Sequence, residues 1–196
     1  MTQDGVVNYT LDNGLQVILK PVHSAPVVSN WIWYRVGARN EVPGKTGISH
    51  WVEHMMFKGT PTFPRGSIMK EINRNGGALN GFTGQDYTTY FEALPAERLD
   101  LALRIESDRM ANSLIDSEEV DSERTVIIAE REGRENSPNY LLYEEVMSVA
   151  YRVHPYGHPI IGWKEDLHNI QHEDLWQHYK MYYGPHNAVV VIAGDI

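Results

Sequence analysis

The stretch Gly47-Ile48-Ser49-His50-Trp51-Val52-Glu53-His54-Met55-Met56-Phe57 decides how the rest of the chain is organised. It predicts a helix on which His50 and His54 lie one turn apart on the same side, with Glu53 close to them. The opposite side carries four large apolar residues, Trp51, Val52, Met55 and Met56. A helix that is apolar over most of its circumference is normally buried. Buried ionisable side chains need partners, and a divalent metal would satisfy both histidines at once.

Composition limits the kinds of site that the chain can build. It has 196 residues, a net charge of -9 at pH 7 and no cysteine. The length suits one domain with a well-covered core, and the acidic charge argues against a nucleic-acid surface. Without cysteine, a metal must be held by nitrogen and oxygen ligands, which suits zinc with histidine and glutamate. No apolar run approaches the length of a membrane span.

Turn and capping signals divide the chain into strands that come first and helices that follow. The predicted strands cover residues 7–11, 15–20, 27–36, 78–83, 86–94 and 188–193. After the histidine stretch, the predicted helices cover 67–75, 96–112, 117–135 and 140–152, with further helix starts at 165 and 173. Asp116 and Glu119 resemble a capping box, which explains Glu119 as a cap. This order favours a single α+β domain over residues 1–196, with a mostly antiparallel sheet packed by helices.

A third metal ligand has to come from another part of the chain, because a catalytic zinc site usually has three protein ligands. On the helix predicted over 117–135, steps of ~100° per residue place Glu123 and Glu130 within the apolar arc, two turns apart. Glu119 also falls within that arc but is explained as a cap, whereas Glu132 and Glu135 fall outside it. An acid on an apolar face can equally form a buried ion pair, for example with Arg124, so helix geometry leaves the role of Glu130 open.

The other histidines compete poorly with this pair. His154 and His158 are four residues apart, but the prolines and glycines between and beside them predict a loop. His168 and His172 have the same spacing, but one helix is predicted to end and another to begin between them. The remaining three have no partner at ligand spacing: His23, His178 and His186.

His50-x-x-Glu53-His54 is the inverse of the His-Glu-x-x-His zinc motif. With its surroundings, it makes the chain resemble the M16 (pitrilysin-like, inverzincin) zinc metallopeptidases, especially the bacterial and mitochondrial-processing-peptidase branch. The resemblance extends over nearly the whole chain and includes residues 11–15, 47–60, 76–83, 86–90, 123–130 and 187–195. It implies the fold shared by LuxS and the M16 metallopeptidases, and a bacterial source.

The resemblance also assigns roles to the candidate residues. It implies a zinc-dependent endopeptidase in which Glu130 joins His50 and His54 as the third zinc ligand. Glu123 matches a further glutamate that supports the site, and we count it with the catalytic residues. Glu53 would act as general base toward a water activated by the metal.

Substrate binding is assigned in the same way to Asn80, Gly81 and Phe82. They match an edge strand on which the family binds an extended peptide or unfolded polypeptide by β-augmentation. Asn80 and Phe82 would share one face of this strand. Gly81 departs from the alanine usual in the family, and we expect this to loosen the strand slightly.

Active enzymes of the family use a second homologous half that closes over the site. We therefore expect this chain to be the N-terminal portion of a longer one, which needs its C-terminal half, a partner subunit or a dimer for activity. The main alternative is a non-catalytic peptide-binding subunit, and a non-proteolytic zinc hydrolase or a structural zinc site is weaker. The polar first residues predict a soluble cytoplasmic protein, or a periplasmic one if a leader has been removed.

Overall fold

The computed structural model describes residues 5–196, in which six strands form one sheet. The strands are β1 (Val7–Thr10), β2 (Gln16–Pro21), β3 (Val27–Tyr34), β4 (Ala78–Thr83), β5 (Thr88–Pro95) and β6 (Ala188–Gly194). Their order across the sheet is β1-β2-β6-β3-β5-β4. The β2–β6 pair is parallel and the other pairs are antiparallel. The predicted mostly antiparallel α+β architecture is confirmed.

Seven α-helices accompany the sheet in the described part of the chain. They are α1 (Ile48–Met55), α2 (Ser67–Arg74), α3 (Leu99–Asn112), α4 (Ser117–Glu135), α5 (Pro138–Ala150), α6 (Lys164–Asn169) and α7 (His172–Tyr182). Short 3-10 turns cover Ala38–Asn40, Ala96–Arg98, Pro155–Gly157 and Pro185–Asn187. No helix in residues 5–196 combines the length and apolar character needed to cross a bilayer.

The two faces of the sheet differ in what covers them. Along β3, alternate residues are buried, and Val28, Ile32 and Tyr34 join the core that includes the helices. The opposite face carries stacked aromatic rings, with the centroids of Trp31 and Phe91 4.2 Å apart. This alternation follows from the period of two in a strand. The helices and the metal-ligand candidates therefore lie on the side of the buried residues.

The last strand occupies the middle of the sheet. β6 pairs with β2 on one side and with β3 on the other, so that Val190 lies opposite both Val17 and Ile32. The sequence predicts this strand but not its neighbours. Because β6 completes the sheet between strands formed much earlier in the chain, the sequence order of strands and helices does not describe their order in space.

Helix starts follow local capping chemistry. The predicted helix over 140–152 begins earlier, because Pro138 occupies its first turn and Ser137 caps it, accepting a hydrogen bond from the Tyr140 N–H. Asp116 caps α4 as predicted, through the Glu118 N–H. The capping role of Glu119 is wrong, since the Glu119 carboxylate pairs with Arg65 instead.

Candidate metal centre

Helix α1 is buried as predicted and presents its histidines together. Trp51, Val52 and Met55 are fully buried, and they fix the helix against the core. The rings of His50 and His54 lie 4.6 Å apart between centroids. Four residues make slightly more than one helical turn, which brings the two imidazoles to the same side.

Helix α4 brings the carboxylate of Glu130 to these imidazoles. Oε2 of Glu130 lies 3.7 Å from Nε2 of His50 and 3.6 Å from Nε2 of His54. Both distances are too long for hydrogen bonds. Among the described residues, these three form a group whose ligand atoms all lie within 4.8 Å of one another. The structure thus brings the carboxylate of Glu130 into one ligand group with both histidines.

The chemistry of these three side chains fits zinc. Tetrahedral zinc holds nitrogen and oxygen ligands at about 2.0–2.2 Å, which separates them from each other by about 3.3–3.5 Å. The Nε2–Oε2 separations of 3.7 and 3.6 Å are close to that spacing. Two imidazoles and one carboxylate also form a ligand set that catalytic zinc sites use. His50, His54 and Glu130 could therefore hold one zinc ion with a position left for water.

The pKa values of the two histidines shift in opposite directions, and the shift at His50 favours metal binding. Burial, with the neighbouring His54, lowers the pKa of His50 to about 4, so its imidazole is neutral with a free lone pair. Burial also acts to lower the pKa of His54, but the hydrogen bond to Glu123 and the charge of Glu53 outweigh it and raise that pKa. Proton and metal compete for the same nitrogen, and His50 is already free of its proton at neutral pH.

Glu123 lies behind His54 and not in the ligand group. Its Oε1 is 2.7 Å from Nδ1 of His54, and its other oxygen pairs with Lys58. Burial opposes ionisation of Glu123, but the hydrogen bonds from His54 and Lys58 lower its pKa to about 2. A carboxylate that accepts the Nδ1 proton fixes the ring so that Nε2 points to the metal. Glu123 is therefore placed to orient His54.

Glu53 shares the side of α1 that faces β4. Thr83 donates a hydrogen bond from its hydroxyl to Oε2 of Glu53 at 2.6 Å. Burial raises the pKa of Glu53, against the lowering effect of that hydrogen bond. A carboxylate with a raised pKa is suited to accept and return a proton near neutral pH.

Strand β4 lies at the edge of the sheet, beside α1. Asn80 is exposed, and its side-chain oxygen accepts the N–H of Gly81. Phe82 lies on the aromatic face with Trp31 and Trp33. An open groove connects this edge with Glu53 and with one ligand candidate, His54. It is lined by Glu53, His54, Phe57, Lys58, Arg65, Gly66, Asn80 and Glu123.

Packing supplies a reason for Gly81 that the sequence did not. A Cβ at this position would lie 2.8 Å from Cδ1 of Tyr90 and 3.2 Å from Cζ of Phe57. The ring of Tyr90 is fully buried and has little freedom to withdraw. The alanine usual in the family therefore does not fit between these rings as they stand. Gly81 is required by the packing of β4 on its neighbours, whatever its effect on strand stiffness.

Arg134, Lys58 and Thr83 complete the site, and none was predicted from the sequence. Arg134 donates to Oε1 of Glu130 at 2.6 Å. Its place four residues after Glu130 was a usable signal, because such pairs face each other on a helix. Lys58 and Thr83 come from other segments and gave no signal. The suggested partner Arg124 does not pair with Glu130: its guanidinium lies over the ring of Trp51 and bonds the carbonyl of Leu167.

The competing histidines are used elsewhere in residues 5–196. His178 is buried, with Nε2 3.2 Å from the hydroxyl of Ser49. Nε2 of His172 lies 2.6 Å from the carbonyl oxygen of Ile115. His158 packs beside Glu41, at 3.7 Å between Nδ1 and Oε2. None of them belongs to the ligand group of the described residues.

Comparison with known proteins gives a consistent picture. Residues 16–164 match the family model described as Insulinase (Peptidase family M16). The chain is 37% identical over 189 residues to zinc protease PqqE of Helicobacter pylori, covering 95% of this chain and 43% of that protein. Its fold is similar to a protease from Helicobacter pylori, with TM-score 0.96, 36% identity and coverage of 99% and 47%. It is also similar to the first half of the periplasmic protease PqqL from Escherichia coli, with TM-score 0.90, 26% identity and coverage of 98% and 43%. The chain spans less than half the length of each.

Proposed function

Because the chain belongs to peptidase family M16, we propose that it is the zinc-binding portion of a metalloendopeptidase that cleaves extended peptides. The observation that carries this proposal is the meeting of His50, His54 and Glu130 at 3.6–3.7 Å, beside the buried carboxylate of Glu53. A purely structural role does not account for this arrangement, because His50, His54 and Glu130 share no hydrogen bond with one another.

The chain's own residues divide the work of hydrolysis. Bound zinc supplies Lewis acidity and lowers the pKa of a water toward neutrality. Glu53, held through Oε2 by Thr83, takes a proton from the attacking water and passes it to the leaving amine. Glu123 holds the Nδ1 proton of His54, and Arg134 holds the second oxygen of Glu130. These contacts keep the ligand atoms aimed at one point before substrate arrives.

Substrate binding is proposed for the edge formed by Asn80, Gly81 and Phe82. An edge strand has unpaired backbone donors and acceptors, which an extended peptide can pair with regardless of its side chains. The groove from this edge passes Glu53 and His54, so a peptide on β4 would carry its backbone past the metal. This supports an unfolded or extended polypeptide as the substrate class.

A second homologous half is proposed as the partner of this chain. The relatives are more than twice as long as the aligned segment, and the groove beside the metal centre is open to solvent. Hydrolysis in a water-filled groove loses the gain that a closed site gives to electrostatic interactions. We therefore propose that cleavage needs the second half, whether it belongs to the same chain or to a partner subunit.

The test compares the full-length protein with residues 1–196. We expect elemental analysis to find one zinc per chain in both proteins. We expect the full-length protein to cleave an unfolded polypeptide and residues 1–196 not to cleave it. Zinc without cleavage in the full-length protein, isolated together with any partner subunit, would contradict the peptidase proposal and favour a non-catalytic peptide-binding subunit. Absence of stoichiometric zinc in the full-length protein would contradict the metal centre itself.

A further inference from the structure

The metal-binding helix α1 begins without a capping side chain of its own. Its N-cap is Gly47, at a φ of 90° that favours glycine. A Cβ on Gly47 would lie 2.4 Å from the carbonyl oxygen of Ile161. The approach of this loop therefore excludes the serine, threonine or aspartate that usually accepts the first N–H groups of a helix. Those groups need acceptors from outside the helix.

Glu41 supplies these acceptors from upstream in the chain. Its Oε2 accepts the N–H of Gly47 at 2.8 Å, and its Oε1 accepts the N–H of Ser49 at 2.9 Å. The Glu41 side chain is 0% exposed. Burial raises its pKa to about 8, against the two backbone hydrogen bonds that lower it. The titratable groups beside it are His158, at 3.7 Å, and Asp166.

The first turn of α1 needs such an anchor more than the second. His54, in the second turn, is oriented through its side chain by Glu123. His50, in the first turn, has a buried Nδ1 with no hydrogen-bond partner among the described residues. The direction of its Nε2 therefore depends on packing and on the backbone of the turn that carries it. That backbone is the part of α1 that Glu41 holds at both Gly47 and Ser49.

We propose that Glu41 is a positioning residue for the metal centre, fixing His50 through the backbone of α1 as Glu123 fixes His54 through its ring. This inference rests on the proposed metal centre. The preformed position of His50 then depends on a residue that neither binds metal nor touches substrate.

The experiment uses Glu41→Ala in the full-length protein, with three measurements. Hydrogen exchange of the zinc-free protein reports on the amides of residues 47–50, competition with a chelator gives the zinc Kd, and kcat is measured at saturating zinc. We expect faster exchange in that segment, about tenfold weaker zinc binding and a reduced kcat, by analogy with the loss of an outer partner of a metal ligand. Ser137→Ala is the control, because it removes the cap of α5 and should leave the zinc Kd unchanged.

Glu41→Gln keeps one acceptor oxygen and should rescue part of the zinc affinity, which a purely structural role would not require. If Glu41→Ala fails to fold, Glu41→Gln decides: weaker zinc binding than in the unmodified protein supports the proposal, and an equal zinc Kd overturns it. An unchanged zinc Kd in a folded Glu41→Ala protein overturns only the positioning role. If the unmodified protein binds no zinc, the proposed function falls and the positioning role falls with it.

Discussion

Two clusters of ionisable side chains in this molecule differ in how their charges are paired. In the closed cluster, Arg109 bonds Glu106 and lies 3.7 Å from Glu92, and all three are almost fully buried. Burial and the neighbouring Glu106 raise the pKa of Glu92 well above its ordinary value. In the open cluster, Glu130 is one-third exposed, and its Oε2 faces two imidazole nitrogens without bonding either.

The difference separates structural charges from a binding site. The closed cluster contains its own cation, the guanidinium of Arg109, and Asn30 donates to Glu92 at 2.9 Å. The open cluster points lone pairs at a common centre, which a bound cation would satisfy. Both use glutamates on helices or strands next to the core. What distinguishes them is that Arg109 bonds Glu106 directly in the closed cluster, whereas His50, His54 and Glu130 share no hydrogen bond with one another.

Changing the base should give the largest effect. Glu53→Gln in the full-length protein is expected to lower kcat by about 10²–10⁴-fold at saturating zinc, since the amide cannot accept the proton. Zinc content should stay unchanged, because Glu53 is not in the ligand group. Both are measured on the same preparation. Retained cleavage would refute the role of Glu53, and lost zinc would move Glu53 into the ligand set.

Opening the closed cluster should cost stability and leave the metal centre alone. Arg109→Ala is expected to lower the free energy of unfolding by about 3–5 kcal/mol, because it strands buried carboxylates. Denaturant titration measures this, and the zinc Kd of the folded protein should not change. Arg104→Ala is the control, an exposed arginine on the same helix paired with Asp100, with an expected cost below about 1 kcal/mol. Equal costs for both would contradict the comparison.

A buried histidine outside the metal centre should show its burial in the pH dependence of stability. Burial lowers the pKa of His178 to about 4, whereas an unfolded histidine titrates near about 6.5. As the pH is lowered, the unfolded chain therefore takes up a proton at this residue before the folded chain does. The free energy of unfolding falls between pH 6.5 and pH 4, by at most roughly 3 kcal/mol. His178→Gln should flatten this part of the curve relative to the exposed control His168→Gln. Parallel stability curves for the two variants would contradict the assignment of this pH dependence to His178.

Removing the residue behind His54 should weaken the open cluster without destroying it. Glu123→Ala is expected to raise the zinc Kd by about 10–100-fold, because the Nδ1 proton of His54 loses its acceptor. Glu132→Ala is the matched control, a half-exposed glutamate of the same helix that pairs with Lys164. Competition with a chelator measures both. An unchanged Kd in Glu123→Ala would show that packing alone orients His54.

The smallest effect is expected at the hydroxyl that holds the base. Thr83→Val removes the hydrogen bond to Glu53, worth about 1–2 kcal/mol, and should lower kcat by about five- to thirtyfold. The zinc Kd should stay unchanged, because Thr83 contacts no ligand. A change in the zinc Kd with an unaltered kcat would contradict the role of Thr83 in holding Glu53 and would assign it to the metal centre instead.

Elements with a strong local pattern were predictable from the sequence. The first two strands, α1, and the cap of α4 at Asp116 are confirmed. Their signals come from neighbouring residues, through turn chemistry, apolar periodicity and capping. The capping role of Glu119 failed because Arg65, a distant residue, provides a better partner for its carboxylate.

The candidate site divides along the same line. Helical spacing put His50 and His54 together, and with Glu119 set aside as a cap it reduced the acids of α4 to Glu123 and Glu130. Which of the two meets the histidines, and which stands behind them, required the packing of α4 on α1. The space that excludes a side chain at Gly81 depends in the same way on Phe57 and Tyr90.

The sequence by itself determined the types of ligand and their spacing on α1, because these depend on residues a few positions apart. The tertiary structure decided the rest: the place of β6 inside the sheet, the partners Lys58 and Thr83, and the anchoring of α1 by Glu41. These contacts join segments that no local periodicity relates. They form because burial requires every charged or polar group to find a partner wherever the fold brings one close.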